Sequence, residues 1–198
     1  MIDQAYDIFG KAAFGDALFY NNETALRFEL ALGDSRSERF GSALERASTV
    51  AKAIFKDSKN LQVCLLCFGE SFVGTKRSFR TMKECEVAIN RPYFIDRENI
   101  DDGFGDVVWT RIFFKSDLDS VYRMIRGTVA KGLGIKPGFG FDLYIFDPEQ
   151  GILMHPYDDR GMDILGPNRH RMLEIYAEYY NWLLDYDIAE MNRRYGTK

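Results

Sequence analysis

The residues best equipped for chemistry stand in one short run, His155-Pro156-Tyr157-Asp158-Asp159-Arg160-Gly161-Met162-Asp163, which joins an imidazole and a phenol to three carboxylates and a guanidinium. Three chemistries fit such a set. In the first, residues 158–161 form a turn, because an aspartate bonds its own downstream backbone and glycine tolerates positive φ; Arg160 then holds a carboxylate in a bidentate pair. The candidates for that carboxylate are Asp158, Asp159, Asp163 and Asp185. In the second, a loop at a sheet end presents His155, Tyr157, Asp158, Asp159, Arg160 and Asp163 to a binding partner. In the third, His155 works with Asp158 or Asp159 as a hydrolytic centre, metal-assisted if those groups supply nitrogen and oxygen ligands. No second His or Cys stands nearby in sequence, however, and the spacing matches no metal motif. Turn-forming residues are the commonest origin of such clusters, so the first chemistry is the baseline against which the others are weighed.

A second run, Asn181-Trp182-Leu183-Leu184-Asp185-Tyr186-Asp187, is aromatic and acidic at a helix end. Trp182 is expected to fill core space and Asp187 to cap a last helix. Asp185 has no such structural task and joins the candidate binding set. Other signals carry less. Cys64 and Cys67 have the spacing of a redox motif, but in a strand residues three apart face opposite ways, and no helix starts at the first of them. The glycines at 132, 134, 138 and 140 follow a helix and precede a strand, the reverse of a nucleotide-binding order. His170 lies in a basic helix surface, and no serine occupies a nucleophile elbow. No catalytic residue, metal or cofactor is assigned.

Residues 4–14 suit a short helix. The alternation of Leu26, Phe28, Leu30 and Leu32 against Arg27 and Glu29 predicts a half-buried strand over 25–32. Ser35 and Glu38 have capping-box spacing and open a helix to about Lys56. Residues 61–68 read as a central strand. The stretch 70–106 reads mostly as loop, with a helical segment at 83–89 and an acidic, glycine-bearing run over 96–106. A strand over 107–114 precedes a helix capped by Ser116 and stopped by Gly132 and Gly134. Residues 139–146 and 152–155 form a hairpin, and 162–165 one more strand. The helix after Pro167 places Leu173, Tyr176, Tyr180 and Leu183 on one face, and Trp182 is expected to be largely buried against the sheet with Asp185 and Asp187 near its edge. Together these elements predict a single α+β domain over 1–198, with a mainly antiparallel sheet of about five to six strands and helices packed on one face.

The totals set the partners. With 198 residues, 46% hydrophobic and 28% charged, the chain can build a substantial core. Its net charge of −4 disfavours nucleic acid and suits a basic protein partner. The N-terminal stretch has no signal-peptide pattern, no apolar run approaches a membrane span, and the three cysteines show no disulfide framework. A cytoplasmic protein without nucleic-acid or membrane partners is expected.

The two C-terminal runs, taken together, resemble the signature of a family of bacterial proteins known only as a domain of unknown function. The resemblance extends to Leu18-Phe19-Tyr20 with Leu26-Arg27-Phe28-Glu29-Leu30, and to Val108-Trp109-Thr110-Arg111. Residues 70–105 carry none of it. The resemblance implies a bacterial, soluble protein and transfers no activity, cofactor or catalytic residue. By analogy of size and type, an immunity-like protein that neutralises a toxin is the leading expectation, and a hydrolase using His155 the alternative.

Overall fold

The computed structural model describes residues 1–68, 72–101 and 106–196. Among these, seven strands form one sheet: β1 Leu26–Glu29, β2 Gln62–Phe68, β3 Phe94–Asp101, β4 Asp106–Lys115, β5 Asp142–Asp147, β6 Ile152–Pro156 and β7 Gly161–Leu165. Their order is β1-β7-β6-β5-β2-β4-β3, and every neighbouring pair is antiparallel. The fold is α+β, as expected, with a slightly larger sheet. The central strand β2 is buried from Gln62 to Cys67, on both of its faces, which is why its sequence reads as an apolar run and does not alternate.

The additional strand is β3, in the stretch read as loop; residues 102–105 of that run lie outside the described residues. Asp and Asn are depleted in strands, and β3 carries them where apolar side chains would signal pairing. Its alternation is electrostatic instead. Asp96 lies opposite Arg111 of β4 in the register, and Glu98 accepts from the same guanidinium at 2.8 Å. Lys11 completes the group, 3.4 Å from Asp96 and 3.1 Å from Glu98.

Seven α-helices accompany the sheet among the described residues: α1 Ile2–Phe9, α2 Leu18–Asn21, α3 Arg36–Phe55, α4 Phe72–Glu84, α5 Leu118–Gly132, α6 Arg169–Glu178 and α7 Ile188–Tyr195. The long helices α3 and α5 pack on each other and reach β6, α5 also touching β5. The capping box of Ser35 and Glu38 forms as its spacing predicts. Helix α5 is capped by Asp117, whose carboxylate accepts from the Ser120 N–H, and not by Ser116. The N-terminal segment takes the opposite face of the sheet. Phe14 packs edge-on against Phe113 and Phe146, while the Tyr144 hydroxyl donates to Gly15 O at 2.9 Å. Both faces are therefore covered, one by the long helix pair and the other by α1, the 3-10 turn Lys11–Phe14 and α2.

The strand expected over 139–146 begins only at Asp142, and the helix expected over 4–14 breaks at Gly10, where φ is 79, into α1 and the 3-10 turn. Three further boundaries differ from the sequence reading. Strand β1 ends at Glu29; the Leu30 N–H still donates to Arg160 O, and Ser42 of α3 then takes both backbone groups of Leu32, whose side chain is left exposed. Helix α4 ends where the helical segment 83–89 was expected to begin. Helix α6 ends at Glu178, and Trp182 falls in the 3-10 turn Tyr180–Trp182. The chain leaves the helix there to pair with the free edge of β1: Leu183 bridges Phe28, and the Leu184 N–H donates to Arg27 O at 3.0 Å. Trp182 is consequently only partly buried, beside Tyr179 and beneath the Arg46 guanidinium, and does not lie deep against the sheet.

Candidate functional site

Side chains of directly opposed residues point to the same side of a sheet, so the pairing of β1, β7 and β6 places Arg27, Asp163 and His155 in one row on the face covered by the N-terminal segment. Tyr144 of β5 extends the row, its ring stacked on His155 with centroids 4.2 Å apart. The motif residues split from here into those that hold the scaffold and those that border a cleft.

Asp163 is nearly fully buried. Its carboxylate accepts from Arg27 Nε at 2.8 Å and Nη2 at 2.9 Å, and from the Phe19 N–H at 3.2 Å. The Arg27 guanidinium lies against the rings of Phe19 and Tyr20, with Asp187 at 3.5 Å from Nη1. Burial works against its charge, yet the Asp163 bond and charge hold it protonated more firmly than an ordinary arginine. Asp187 makes no capping bond to α7; its carboxylate serves Arg27 and the Tyr20 hydroxyl instead. Asp159, also buried, accepts from Arg39 of α3 at 2.7 Å. It rests on the end of α5, where a Cβ at Gly132 would collide with it. Asp158 accepts from the Arg160 N–H at 2.8 Å and from its guanidinium at 2.9 and 2.6 Å. This is the turn and bidentate pair that the residue types predict.

A cleft of about 450 Å³ opens between the N-terminal segment and the strands β5, β6 and β7, lined by Asp16, Arg27, Asp142, His155, Tyr157 and Arg160 together with Leu184 and Asp163. His155 Nδ1 lies 2.8 Å from Leu143 O; since a carbonyl only accepts, Nδ1 is the donor of this bond. Burial raises the pKa of the Tyr157 hydroxyl, for which Gly161 leaves room by lacking a side chain. Asp142 forms an ion pair with Lys131 at 3.2 Å. Asp16 stands at the exposed mouth, and packing around its carboxyl together with the charge of Asp142 raises its pKa, against the pull of His155. Ala17 beside it has φ 56, a left-handed conformation unusual for a residue with a Cβ.

Of the residues singled out in sequence, His155, Tyr157, Arg160 and Asp163 converge on this cleft. Asp158 and Asp159 support it from the turn, and Asp185 stays on the exposed surface outside its lining. Asp16 and Asp142 escaped notice; the one available signal was that Asp142 sits two residues from Tyr144 and so shares its face. Among the described residues no three His, Cys, Asp or Glu side chains gather as a metal site would require. A larger cavity of about 800 Å³, bordered by Lys76, Arg80, Glu84 and Lys136, holds none of the motif residues. No helix among the described residues is long and apolar enough to cross a membrane.

Compared with known proteins, the chain is matched over residues 2–187 by the family described as Domain of unknown function (DUF3885). No curated protein and no solved structure matches it.

Proposed function

Because the chain belongs to the DUF3885 family, whose description assigns no activity, we propose a function from the cleft itself: a non-catalytic, immunity-like binding protein of the bacterial cytoplasm that holds a basic protein partner, such as a toxin. The observation that carries this reading is the mutual satisfaction of the motif charges. Arg27 holds Asp163, Arg39 holds Asp159 and Arg160 holds Asp158. A catalytic centre needs a base or nucleophile poised beside an orienting group. Here the carboxylates that accompany His155 in sequence are engaged by arginines, and a backbone carbonyl, not a carboxylate, holds its Nδ1. The hydrolytic reading with Asp158 or Asp159 therefore draws less support.

What remains at the cleft is acceptor chemistry, from Asp16 and from Asp142, which is shared with Lys131. Tyr20 and Tyr186, at 59% and 86% exposure, flank residues of its wall in sequence, and exposed tyrosines are favoured contact residues at protein interfaces. The net charge of −4 steers basic partners toward the surface. The odd cysteine count and the lack of a disulfide framework favour a reducing compartment.

The test is a peptide array of matched basic and acidic sequences probed with the purified chain. Lysine- and arginine-bearing peptides should be retained and recovered intact, and retention should fall in Tyr20→Ala and Tyr186→Ala. Equal retention of acidic peptides would remove the charge argument. Cleavage of a bound peptide, abolished in His155→Ala, would establish the hydrolytic alternative instead.

A further inference from the structure

Beyond the binding reading, and at a different place in the fold, we propose that the large cavity between α4 and the turn after α5 is a second site, which takes a phosphate monoester of a small hydroxyl-bearing molecule. The cavity measures about 800 Å³, within the range of small-ligand sites. Its walls are Lys76, Arg80, Thr81 and Glu84 of α4, and Lys136, Pro137 and Gly138 of the turn. Both walls are fixed. Helix α4 is pinned by the fully buried Met82. The turn is tied to α5 by two bonds, from Ile135 N–H to Ala130 O at 2.9 Å and from Phe139 N–H to Gly127 O at 3.2 Å. Gly138 lets the turn fold back this closely, because a Cβ there would stand 3.1 Å from both Ile135 O and Lys131 Cα.

Charge selects an anion. The chain carries a net charge of −4, yet this lining holds three cations, Lys76, Arg80 and Lys136, against one carboxylate, Glu84. Lys76, Arg80 and Glu84 follow one another at four-residue steps along α4, so two like charges stand one turn apart, an arrangement that costs the helix a little. Glu84 has the spacing to neutralise Arg80, but the two form no ion pair. Among the described residues, neither the Arg80 guanidinium nor the Lys136 ammonium has a hydrogen-bonding or charged partner, and the Gly138 N–H makes no hydrogen bond. By contrast, Arg27, Arg39, Arg111 and Arg160 each hold a carboxylate. Two unmatched cations from separate elements at one cavity suit a phosphate, whose three oxygens accept from several sides; the guanidinium fork takes two of them and the ammonium acts as a point charge. The cavity is much larger than a phosphate group, so the ligand has a body. Glu84 supplies an acceptor for hydroxyl groups on that body, and its charge turns away polyphosphates and nucleic acid.

The test is a ³¹P NMR titration of the purified chain with glucose 6-phosphate, with inorganic phosphate and a phosphoserine peptide as comparison ligands. The phosphorus line of glucose 6-phosphate should shift and broaden to saturation. Its affinity should drop about tenfold in Arg80→Ala and in Lys136→Ala, the loss of one charge-assisted contact in each. Lys56→Ala, which removes an exposed cation outside the cavity lining, should leave it unchanged. Arg80 and Lys136 are exposed, so neither substitution disturbs the core. No saturable response, undiminished affinity in both cavity variants, or an equal loss in Lys56→Ala would overturn the site. Inorganic phosphate held as tightly as the ester would remove the role of the body and leave a bare anion site. A phosphoserine peptide that binds where glucose 6-phosphate does not would overturn the small-molecule assignment in favour of a modified protein. The motif cleft takes no part in any of these outcomes, so either reading can fail alone.

Discussion

Asp163 and Asp158 look interchangeable in the sequence, but their environments give them very different weight. Asp163 pairs with Arg27 where the two side chains are 2% and 13% exposed, while Arg160, the partner of Asp158, is 74% exposed. Removing one member of a buried pair strands the other charge, at a cost of about 3–5 kcal/mol, whereas exposed pairs contribute less than about 1 kcal/mol. Asp163→Asn should therefore lower stability by roughly 3–5 kcal/mol in urea unfolding and Arg160→Ala by under about 1 kcal/mol. Similar losses for the two would refute the division of the motif into scaffold and rim. Sequence made the local pair legible, because Asp158 and Arg160 are two positions apart and follow turn chemistry. The pairs of Asp163 with Arg27 and Asp159 with Arg39 span 136 and 120 positions, and nothing in a linear reading joins residues that only the sheet order and the helix packing bring together.

Elements in this fold are fitted to one another through their glycines, and the same substitution should act with opposite sign at two of them. Gly127 lies inside α5, where a Cβ would strike the buried ring of Phe139, whereas Gly41 is exposed in α3 with nothing within 4 Å. Gly127→Ala should cost about 1–3 kcal/mol by overpacking. Gly41→Ala should gain about 0.5–1 kcal/mol by restricting the unfolded chain and favouring the helix. Thermal unfolding of the pair decides it; a stabilised Gly127→Ala would mean that α5 does not sit tight against residues 139–141. Elements with a strong local signature were readable in advance: the box that opens α3, the apolar run of β2 and the hairpin of β5 and β6. Strand β3 was not, because its face toward Lys11 and Arg111 is written in charges. The end of α6 was not either, since neither Gly nor Pro marks it and the competing pull is a bridge to Phe28, far away in sequence. That bridge moved Trp182 out of the core, so Trp182→Ala should cost only roughly 1–2 kcal/mol, the scale of one ring contact plus one half-buried cation–π contact, in the same unfolding assay.

For the whole molecule, the N-terminal cover is the part whose attachment depends most visibly on protonation, and it forms one wall of the cleft. Tyr6 donates to Asp96 at 2.6 Å, and Tyr144 donates to Gly15 O. Burial opposes ionisation of Asp96, but the Tyr6 bond and the charges of Lys11 and Arg111 hold its pKa below the usual range. Glu98 is likewise low, held by Arg111 and Lys11 against burial. Their contribution is complete above the unfolded carboxylate values near 4 and fades as pH falls below them. The tyrosines act at the other end. Burial raises the pKa of Tyr6, Tyr144 and Tyr157, with carboxylates nearby adding to it. A folded value above the unfolded one near 10 means that their contribution is intact below pH 10 and is lost as pH climbs through the folded values. Ionising Tyr6 would also set a phenolate against Asp96, so the cover should detach and unfold with the rest of the sheet face. An alkaline titration followed jointly by tyrosinate absorbance and far-ultraviolet circular dichroism tests this. Phenols open to water should ionise first, at the ordinary tyrosine value of about 10, with the dichroism unchanged, and the buried ones in a single later step that coincides with its loss. If all eleven tyrosines titrate smoothly near pH 10 while the dichroism persists, the phenols do not anchor the cover, and the wall that carries Asp16 is held by packing alone.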